Sequence, residues 1–172
     1  GELATSETQT LKAAVLMGIL QPGTEVRVNL VNAALLAEER GLQITEKKDP
    51  VPQKFANEIT VRLATTGGEV IVGGTHLRGR THVTRVGEHL VDAAVDSPYL
   101  LFIENLDRPG MIGTVGEVAG RHDINISFME VGRAEARGNA TMMVGLDDPM
   151  PDSVLEELKQ NPAITSLRLV QM

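Results

Sequence analysis

The stretch from Leu100 to Ile126, LLFIENLDRPGMIGTVGEVAGRHDINI, constrains the fold more than any other part of the chain. Tyr99 to Leu106 is a short apolar run with β-branched and aromatic residues, the pattern of a buried strand. Asp107-Arg108-Pro109-Gly110 stops it. Asp accepts hydrogen bonds from nearby N–H groups, Pro presets φ for a turn or a first helical position, and Gly lets backbone approach closely. Met111, Ile112, Val115, Val118 and Ala119 then recur at helical spacing, which predicts a helix over Met111–His122. Gly120 weakens that helix near its end, and Asp123 falls in the connection. Ile124-Asn125-Ile126-Ser127-Phe128 opens a second strand.

A turn of this kind has a chemical consequence. A helix N-terminus presents unpaired N–H groups and a partial positive charge, so it favours an anion such as a carboxylate. Asp107 beside it is placed to hold an ammonium group, and the two together would grip both ends of a free amino acid. On spacing alone the plainer reading stands beside it and carries more weight: Asp107 caps the helix and Gly110 fits the turn.

Beyond this stretch, Ile126–Arg133 and Asn139–Gly145 read as strands joined by a hairpin at Ala134–Gly138. Pro151–Gln160 reads as a helix, with Pro151 in its first turn, Asp152 beside it and Asn161-Pro162 ending it. Thr165–Val170 is the last strand. The order is βαββαβ, a ferredoxin-like unit with helices on one face of an antiparallel sheet. Asp96-Ser97-Pro98 is the expected boundary, giving domains over residues 1–96 and 97–172 and an α+β fold class for both.

In the first domain, residues 1–20 read as helix, with Leu11, Ala14, Val15, Gly18 and Ile19 near one face and a polar start prone to fray. Val26 and Val28 suggest a short strand. Ala33–Arg40 is a helix with Asn32 as N-cap and Gly41 as C′ residue. Leu42–Thr45 alternates as a strand, and Glu46–Asn57 reads as a loop. Ile59, Val61 and Leu63 alternate in a half-buried strand. Thr66-Gly67-Gly68-Glu69 is a hairpin signal, with positive φ allowed at both glycines. Val70-Ile71-Val72 returns, and Gly73-Gly74 marks a bulge or a close backbone approach. Thr81–Val86 and His89–Ala94 form a further hairpin around Gly87-Glu88.

Composition narrows the function. The 172 residues carry 16 Lys+Arg against 23 Asp+Glu, a net charge of −7, with few aromatics and no long basic run, which argues against a nucleic-acid partner. No apolar run reaches membrane-spanning length, and no signal peptide is visible, so neither a membrane partner nor export is expected. Zero cysteines exclude disulfides and thiolate metal sites and fit a cytoplasmic location. His76, His82, His89 and His122 show no metal-ligand spacing, and no nucleophile-elbow motif is present. No G-x-G-x-x-G fingerprint occurs: Gly110, Gly113 and Gly116 are spaced wrongly for one. No resident cofactor is therefore expected in this chain, nor catalysis by it alone.

Asn105-Leu106-Asp107-Arg108-Pro109-Gly110, followed by Ile124-Asn125-Ile126, Val131-Gly132-Arg133 and Leu146-Asp147, resembles an ACT domain, the regulatory small-molecule-binding module. The similarity is to the ACT domain at the C-terminus of the D-3-phosphoglycerate dehydrogenase family. VNLVNAALLAEERG, EITVRLATTGGEVIVGGT and RVGEHLVDA resemble that family's intervening, allosteric substrate-binding domain, with Asn32-Ala33-Ala34 where the family usually has Asn-Ala-Pro. Some members bind a phosphorylated ligand with basic residues there. The His76, Arg78, Arg80, His82 and Arg85 cluster is a candidate for that role, although a solvated basic rim is the preferred reading.

The resemblance implies a regulatory region of an NAD-dependent enzyme of L-serine biosynthesis, with NAD confined to catalytic domains that are not in this chain. It implies that the ACT domain binds an amino acid, L-serine first, as feedback inhibitor, and associates side by side into a homo-oligomer. The expected contacts are backbone N–H groups of Gly110, Met111 and Ile112 for the carboxylate, Asp107 for the ammonium, and Asn105 and Asn125 for the remaining polar groups. The alternatives are an ACT sensor for a different amino acid and an oligomerisation module with an unused cavity.

Overall fold

A computed structural model describes residues 1–52 and 54–172; Gln53, inside the expected loop at Glu46–Asn57, lies outside the described residues. The chain divides into two compact units, Gly1–Val61 and Arg62–Met172.

The first unit is helical. A short 3-10 turn, Glu2–Thr5, precedes α1, Gln9–Leu20, so the single helix expected over residues 1–20 is broken. The Ser6 N–H closes that turn on the Leu3 carbonyl at 3.1 Å and Ser6 then turns to extended backbone, while the Leu3 N–H is taken by Asn57 Oδ1 at 2.7 Å. The buried face of α1 is Ala13, Leu16 and Leu20, whereas Ala14 and Gly18 are exposed. The expected face is therefore rotated, because Leu16 and Leu20 pack with Val28 and with Ala33 and Ala37 of α2, Ala33–Glu39. Alanines one turn apart let the two helices approach closely.

The predicted strand at Val26–Val28 does not form. Gln21 Oε1 takes the Val28 N–H at 2.9 Å, and the segment is irregular. Asn32 makes no side-chain cap to α2. Asn29 does that work one turn earlier, its Oδ1 accepting from the N–H groups of Val31 at 2.9 Å and Asn32 at 3.0 Å. Gly41 is the expected C′ residue, at φ +69°. Its N–H reaches the Glu38 carbonyl at 2.8 Å and the Leu42 N–H reaches Ala37 at 2.9 Å, a Schellman closure. That closure commits the start of Leu42–Thr45, and the expected strand there is absent.

From Ile59 onward the chain forms two four-stranded sheets. The first is a meander in the order β1-β2-β3-β4, formed by β1 Ile59–Thr65, β2 Gly68–Leu77, β3 Arg80–Val86 and β4 His89–Ala94. Only Gly68 of the Gly67-Gly68 turn has positive φ, because Thr65 Oγ1 itself closes the turn, accepting from the Gly67 N–H at 3.1 Å. The β2–β3 register shifts between Gly73 and Gly74, and a side chain at Gly73 would collide with β3, so the glycine pair serves as both bulge and close approach.

The second sheet has the order β6-β7-β5-β8, all antiparallel, from β5 Tyr99–Leu106, β6 Ile126–Arg133, β7 Asn139–Leu146 and β8 Ile164–Gln171. Helices α3, Met111–Arg121, and α4, Asp152–Lys159, lie on one face, giving the expected βαββαβ ferredoxin-like unit. Alternation explains the packing: Leu101 and Ile103 of β5 and Met142, Val144 and Leu146 of β7 join Val115, Val118, Val154 and Leu158 of the helices in one core. Each such side chain, fully buried, contributes about 1.5–3 kcal/mol. The opposite face carries Leu100 and Met143, which cluster with Ala93 of β4 and with Val83, Phe102 and Phe128. Residues of β3 and β4 thus pack on the helix-free face of the second sheet. At Gly132 of β6 the backbone passes close to β4: a Cβ there would lie 2.7 Å from the Leu90 carbonyl oxygen.

Candidate functional site

The site is built at the end of β5, the strand held between β7 and β8. Leu101, Ile103 and Asn105 share the helix-facing side, so the strand that supplies the core also delivers one amide to its margin. Asn105 is 3% exposed. Its Nδ2 donates to the Leu106 carbonyl at 2.9 Å, but its buried Oδ1 has no donor among the described residues. A buried acceptor left this way costs about 1–3 kcal/mol, which a donating ligand or water would recover.

Past Leu106 the chain leaves the sheet. The Asp107 N–H reaches the Gly138 carbonyl at 2.8 Å, and the Met111 N–H reaches Arg108 at 3.3 Å. Gly110 stands at φ +94°, a left-handed conformation that a side chain would strain, and from there α3 begins. The N–H groups of Gly110 and Ile112 make no backbone hydrogen bond among the described residues.

Asp107 does not cap α3. Its Oδ2 accepts from Arg133 Nη1 at 2.7 Å and from the Arg137 N–H at 3.1 Å, both in the β6–β7 hairpin region. The Arg137 backbone hydrogen bond, then the Arg133 side chain, hold the Asp107 carboxyl below the ordinary aspartate range, so it is ionised at neutral pH. Asp107 Oδ1 has no hydrogen-bond partner among the described residues and remains available.

These groups surround an open cavity of 380 Å³. Asn105, Asp107, Gly110, Met111 and Ile112 all line it, with Val131 and Met142 as apolar wall and Arg108, Arg133 and Arg137 among its polar groups. Register explains the assembly. Ala140 of β7 pairs with Asn105 on one side and Arg133 on the other, so a small residue separates the amide from the guanidinium on the helix-facing side.

Asn125 lies elsewhere in the chain. It precedes β6, whereas Arg133 ends it, so the two stand roughly 25 Å apart along an extended strand. Its Nδ2 donates to Asp147 Oδ2 at 2.5 Å, and its carbonyl accepts from the Asp147 N–H at 3.2 Å. Five of the six expected contact residues therefore meet at one cavity, and the sixth sits at the opposite end of the sheet. Sequence reasoning missed Arg133 and Arg137 as site residues. Arg133 was visible as the next same-side position after Val131 in a period-2 strand. Arg137 acts on Asp107 through its backbone, for which side-chain chemistry gives no signal.

The basic cluster of the first sheet is differently arranged. Arg80 contacts Asp96, His82 Nδ1 lies 2.9 Å from Asp92 Oδ1, and Arg85 is 3.9 Å from Glu88. These are surface pairs of the kind that contribute little net stability. Arg121 of α3 and His122 just after it meet Glu157 of α4 at 2.6 and 2.8 Å, a polar clamp between the helices. Among the described residues no group of three His, Asp or Glu is placed to hold a metal ion, and no helix is long and apolar enough to cross a membrane.

Comparison with known proteins assigns both regions of the chain to known families. The family described as the D-3-phosphoglycerate dehydrogenase intervening domain matches residues 1–86, and the ACT domain family matches residues 99–163. D-3-phosphoglycerate dehydrogenase of Synechocystis sp. is 35% identical over 174 residues, covering 100% of this chain and 31% of the relative. The Bacillus subtilis enzyme of that name is 34% identical, covering 100% and 33%. The chloroplastic D-3-phosphoglycerate dehydrogenase 3 of Arabidopsis thaliana is 34% identical, covering 92% and 29%. The chain thus spans about a third of the length of these curated relatives, and the matched third consists of intervening and ACT domains, not a catalytic domain. With a ferredoxin-like unit where the ACT family matches and the intervening-domain family over the preceding half, the chain belongs to the D-3-phosphoglycerate dehydrogenase family, as its regulatory intervening and ACT region.

Proposed function

We propose that this region is the amino-acid-responsive part of an NAD-dependent dehydrogenase of L-serine synthesis, and that its ACT domain, residues 97–172, binds L-serine as a feedback inhibitor. The observation that carries the reading is Asn105 Oδ1, a buried acceptor without a donor among the described residues, in the wall of a cavity that also offers a carboxylate oxygen unpartnered among them and a helix N-terminus. An α-amino acid complements all three. Its ammonium donates to Asn105 Oδ1 and Asp107 Oδ1. Its carboxylate accepts from the N–H groups of Gly110 and Ile112, and from Met111 if the long Arg108 contact yields. Oxidation of 3-phosphoglycerate with NAD is assigned to the regions of the relatives outside the matched third.

Asn125 enters this proposal from a second copy. β6 is an edge strand with unpaired backbone groups on its outer side. A two-fold antiparallel pairing of β6 with itself would carry Asn125 of the partner subunit beside Arg133, which Asn125 of the same chain does not reach. Such a homodimer would complete the polar set around the ligand. Binding inhibits the whole enzyme only if the inactive arrangement holds serine more tightly than the active one.

The test is a calorimetric titration of this chain with L-serine, glycine and 3-phosphoglycerate, beside light scattering from micromolar to millimolar protein. Serine binding by a dimer supports the proposal. Binding of another amino acid alone keeps the sensor and rejects serine. No amino-acid binding by a folded dimer favours an oligomerisation module with an unused cavity.

A further inference from the structure

His89 and Thr141 form a polar contact that the reading of the cavity leaves unused. Thr141 lies on β7, an interior strand of the second sheet, and is 2% exposed. Its Oγ1 is hydrogen-bonded to His89 Nδ1 at 2.9 Å. His89 is half-buried and opens β4 of the first sheet, 52 residues earlier.

Register places this contact directly behind the site. Thr141 pairs with Glu104 of β5 and with Gly132 of β6. Its neighbour Ala140 pairs with Asn105 and Arg133, and Met142 on its other side forms part of the cavity wall. Successive strand residues point to opposite faces. The row Glu104, Thr141, Gly132 is therefore on the helix-free face, one residue along from the row Asn105, Ala140, Arg133 that borders the cavity. β4 rests on that same row. A Cβ at Gly132 would lie 2.7 Å from the Leu90 carbonyl oxygen, 2.8 Å from Val91 Cγ1 and 3.2 Å from His89 Cβ. β4 thus holds β7 through a side-chain hydrogen bond and meets β6 through a close backbone approach that glycine alone permits. Packing this dense does not deform smoothly, so a shift of this row carries the adjacent one with it.

We propose that His89 is a positioning residue for the amino-acid site: through Thr141 and the approach at Gly132, β4 holds the cavity end of β6 and β7 in the arrangement that receives ligand. The inference rests on the amino-acid reading of the cavity given above and adds the element that carries its occupancy to the first sheet. His89 touches no ligand. The sign follows from what stands together: with β4 in place, Asn105, Asp107 and the head of α3 already converge on one cavity. The coupling is reciprocal, so a ligand that prefers the braced arrangement also tightens β4 on the second sheet.

The experiment is calorimetric titration with L-serine and glycine of the unaltered chain and of His89→Phe, Thr141→Val, the double variant and His89→Asn, with thermal unfolding alongside. Hydrogen exchange of the unaltered chain is followed with and without L-serine. Each single variant should bind roughly fivefold more weakly, and the double variant also roughly fivefold rather than about 25-fold, because both changes remove one interaction. His89→Asn, whose amide reaches the place of Nδ1, should recover most of the affinity, which loss of packing alone would not allow. Ligand should slow exchange of β4 amides, none of which lines the cavity. Folded His89→Phe with unchanged affinity, or β4 exchange indifferent to bound ligand, overturns the inference and leaves the amino-acid reading standing. The exchange measurement decides even if a variant does not fold. No binding of either amino acid by the unaltered chain overturns the cavity reading, and this inference falls with it.

Discussion

Two concentrations of basic side chains occur in this chain, and they differ in what answers them. At the β2–β3 hairpin and along β3, His76 and Arg78 are in no ion pair among the described residues, but Arg80, His82 and Arg85 each face an acid: Asp96, Asp92 and Glu88. Their charge is answered on the surface, and nothing buried beside them lacks a partner among the described residues. Around the ACT cavity, Arg108, Arg133 and Arg137 share the lining with one carboxylate, Asp107, and a buried amide oxygen there has no donor among the described residues. Local density of arginine therefore says little about binding. Uncommitted donors beside an unsatisfied buried acceptor say more, because a ligand can recover there a desolvation cost that the protein alone has left standing.

The sharpest way to break this comparison is to remove one acid from each region. Asp107→Ala should lower amino-acid affinity roughly tenfold or more, whereas Asp92→Ala at the hairpin should leave it unchanged. Equal losses in the two variants, measured by titration calorimetry, would mean that the regions do not differ as described. Next in size is Asn105→Leu, which removes the unsatisfied oxygen. Affinity should fall about fivefold while the thermal midpoint stays level or rises, since the folded state no longer buries an orphan acceptor. A large drop in midpoint would show that the amide supports the fold rather than the ligand.

Asn125→Ala should have a smaller effect, about threefold, and only at protein concentrations where the chain is dimeric. A loss of equal size in a monomeric sample would rule out contribution from a second copy. The smallest effect near neutrality is that of pH. Asp107 has a folded-state pKa below its ordinary value of 3.8, so its contribution to the native site is present above that value and fades as pH falls through the lower folded one. Protonation of Asp107 should therefore change ligand affinity little between about pH 8 and pH 5. Carboxylate chemical shifts followed by NMR would check this, and a midpoint above 3.8 would contradict the Arg133 and Arg137 contacts.

Legibility in the sequence varied by element. The second sheet and its helices were readable because β5, α3, β6, β7, α4 and β8 each carry a strong period or a distinctive boundary residue. Gly41 and the Gly73-Gly74 pair were readable for a related reason: their backbone requirements are local. Val26–Val28 and Leu42–Thr45 misled because two or three alternating residues fit a strand only if a neighbouring strand offers hydrogen bonds. Here Gln21 and the end of α2 take the donors first. The face of α1 misled because Ala14 and Gly18 are apolar enough to share a stripe but too small to anchor one, and Leu16 and Leu20 win the contact with α2.

The sequence by itself determined the strand-turn-helix unit at Leu106–Met111 and the βαββαβ order. Each depends on dihedral preferences and side-chain periods a few residues long. Only the tertiary structure decided that Asp107 is held by Arg133 and the Arg137 backbone, 26 and 30 residues away, instead of capping α3. It likewise decided that Asn105 and Arg133 flank Ala140 while Asn125 falls at the far end of β6. Those outcomes follow from antiparallel register and from where a hairpin folds back. Register is set by the packing of whole strands against their neighbours, and no short window of sequence contains it.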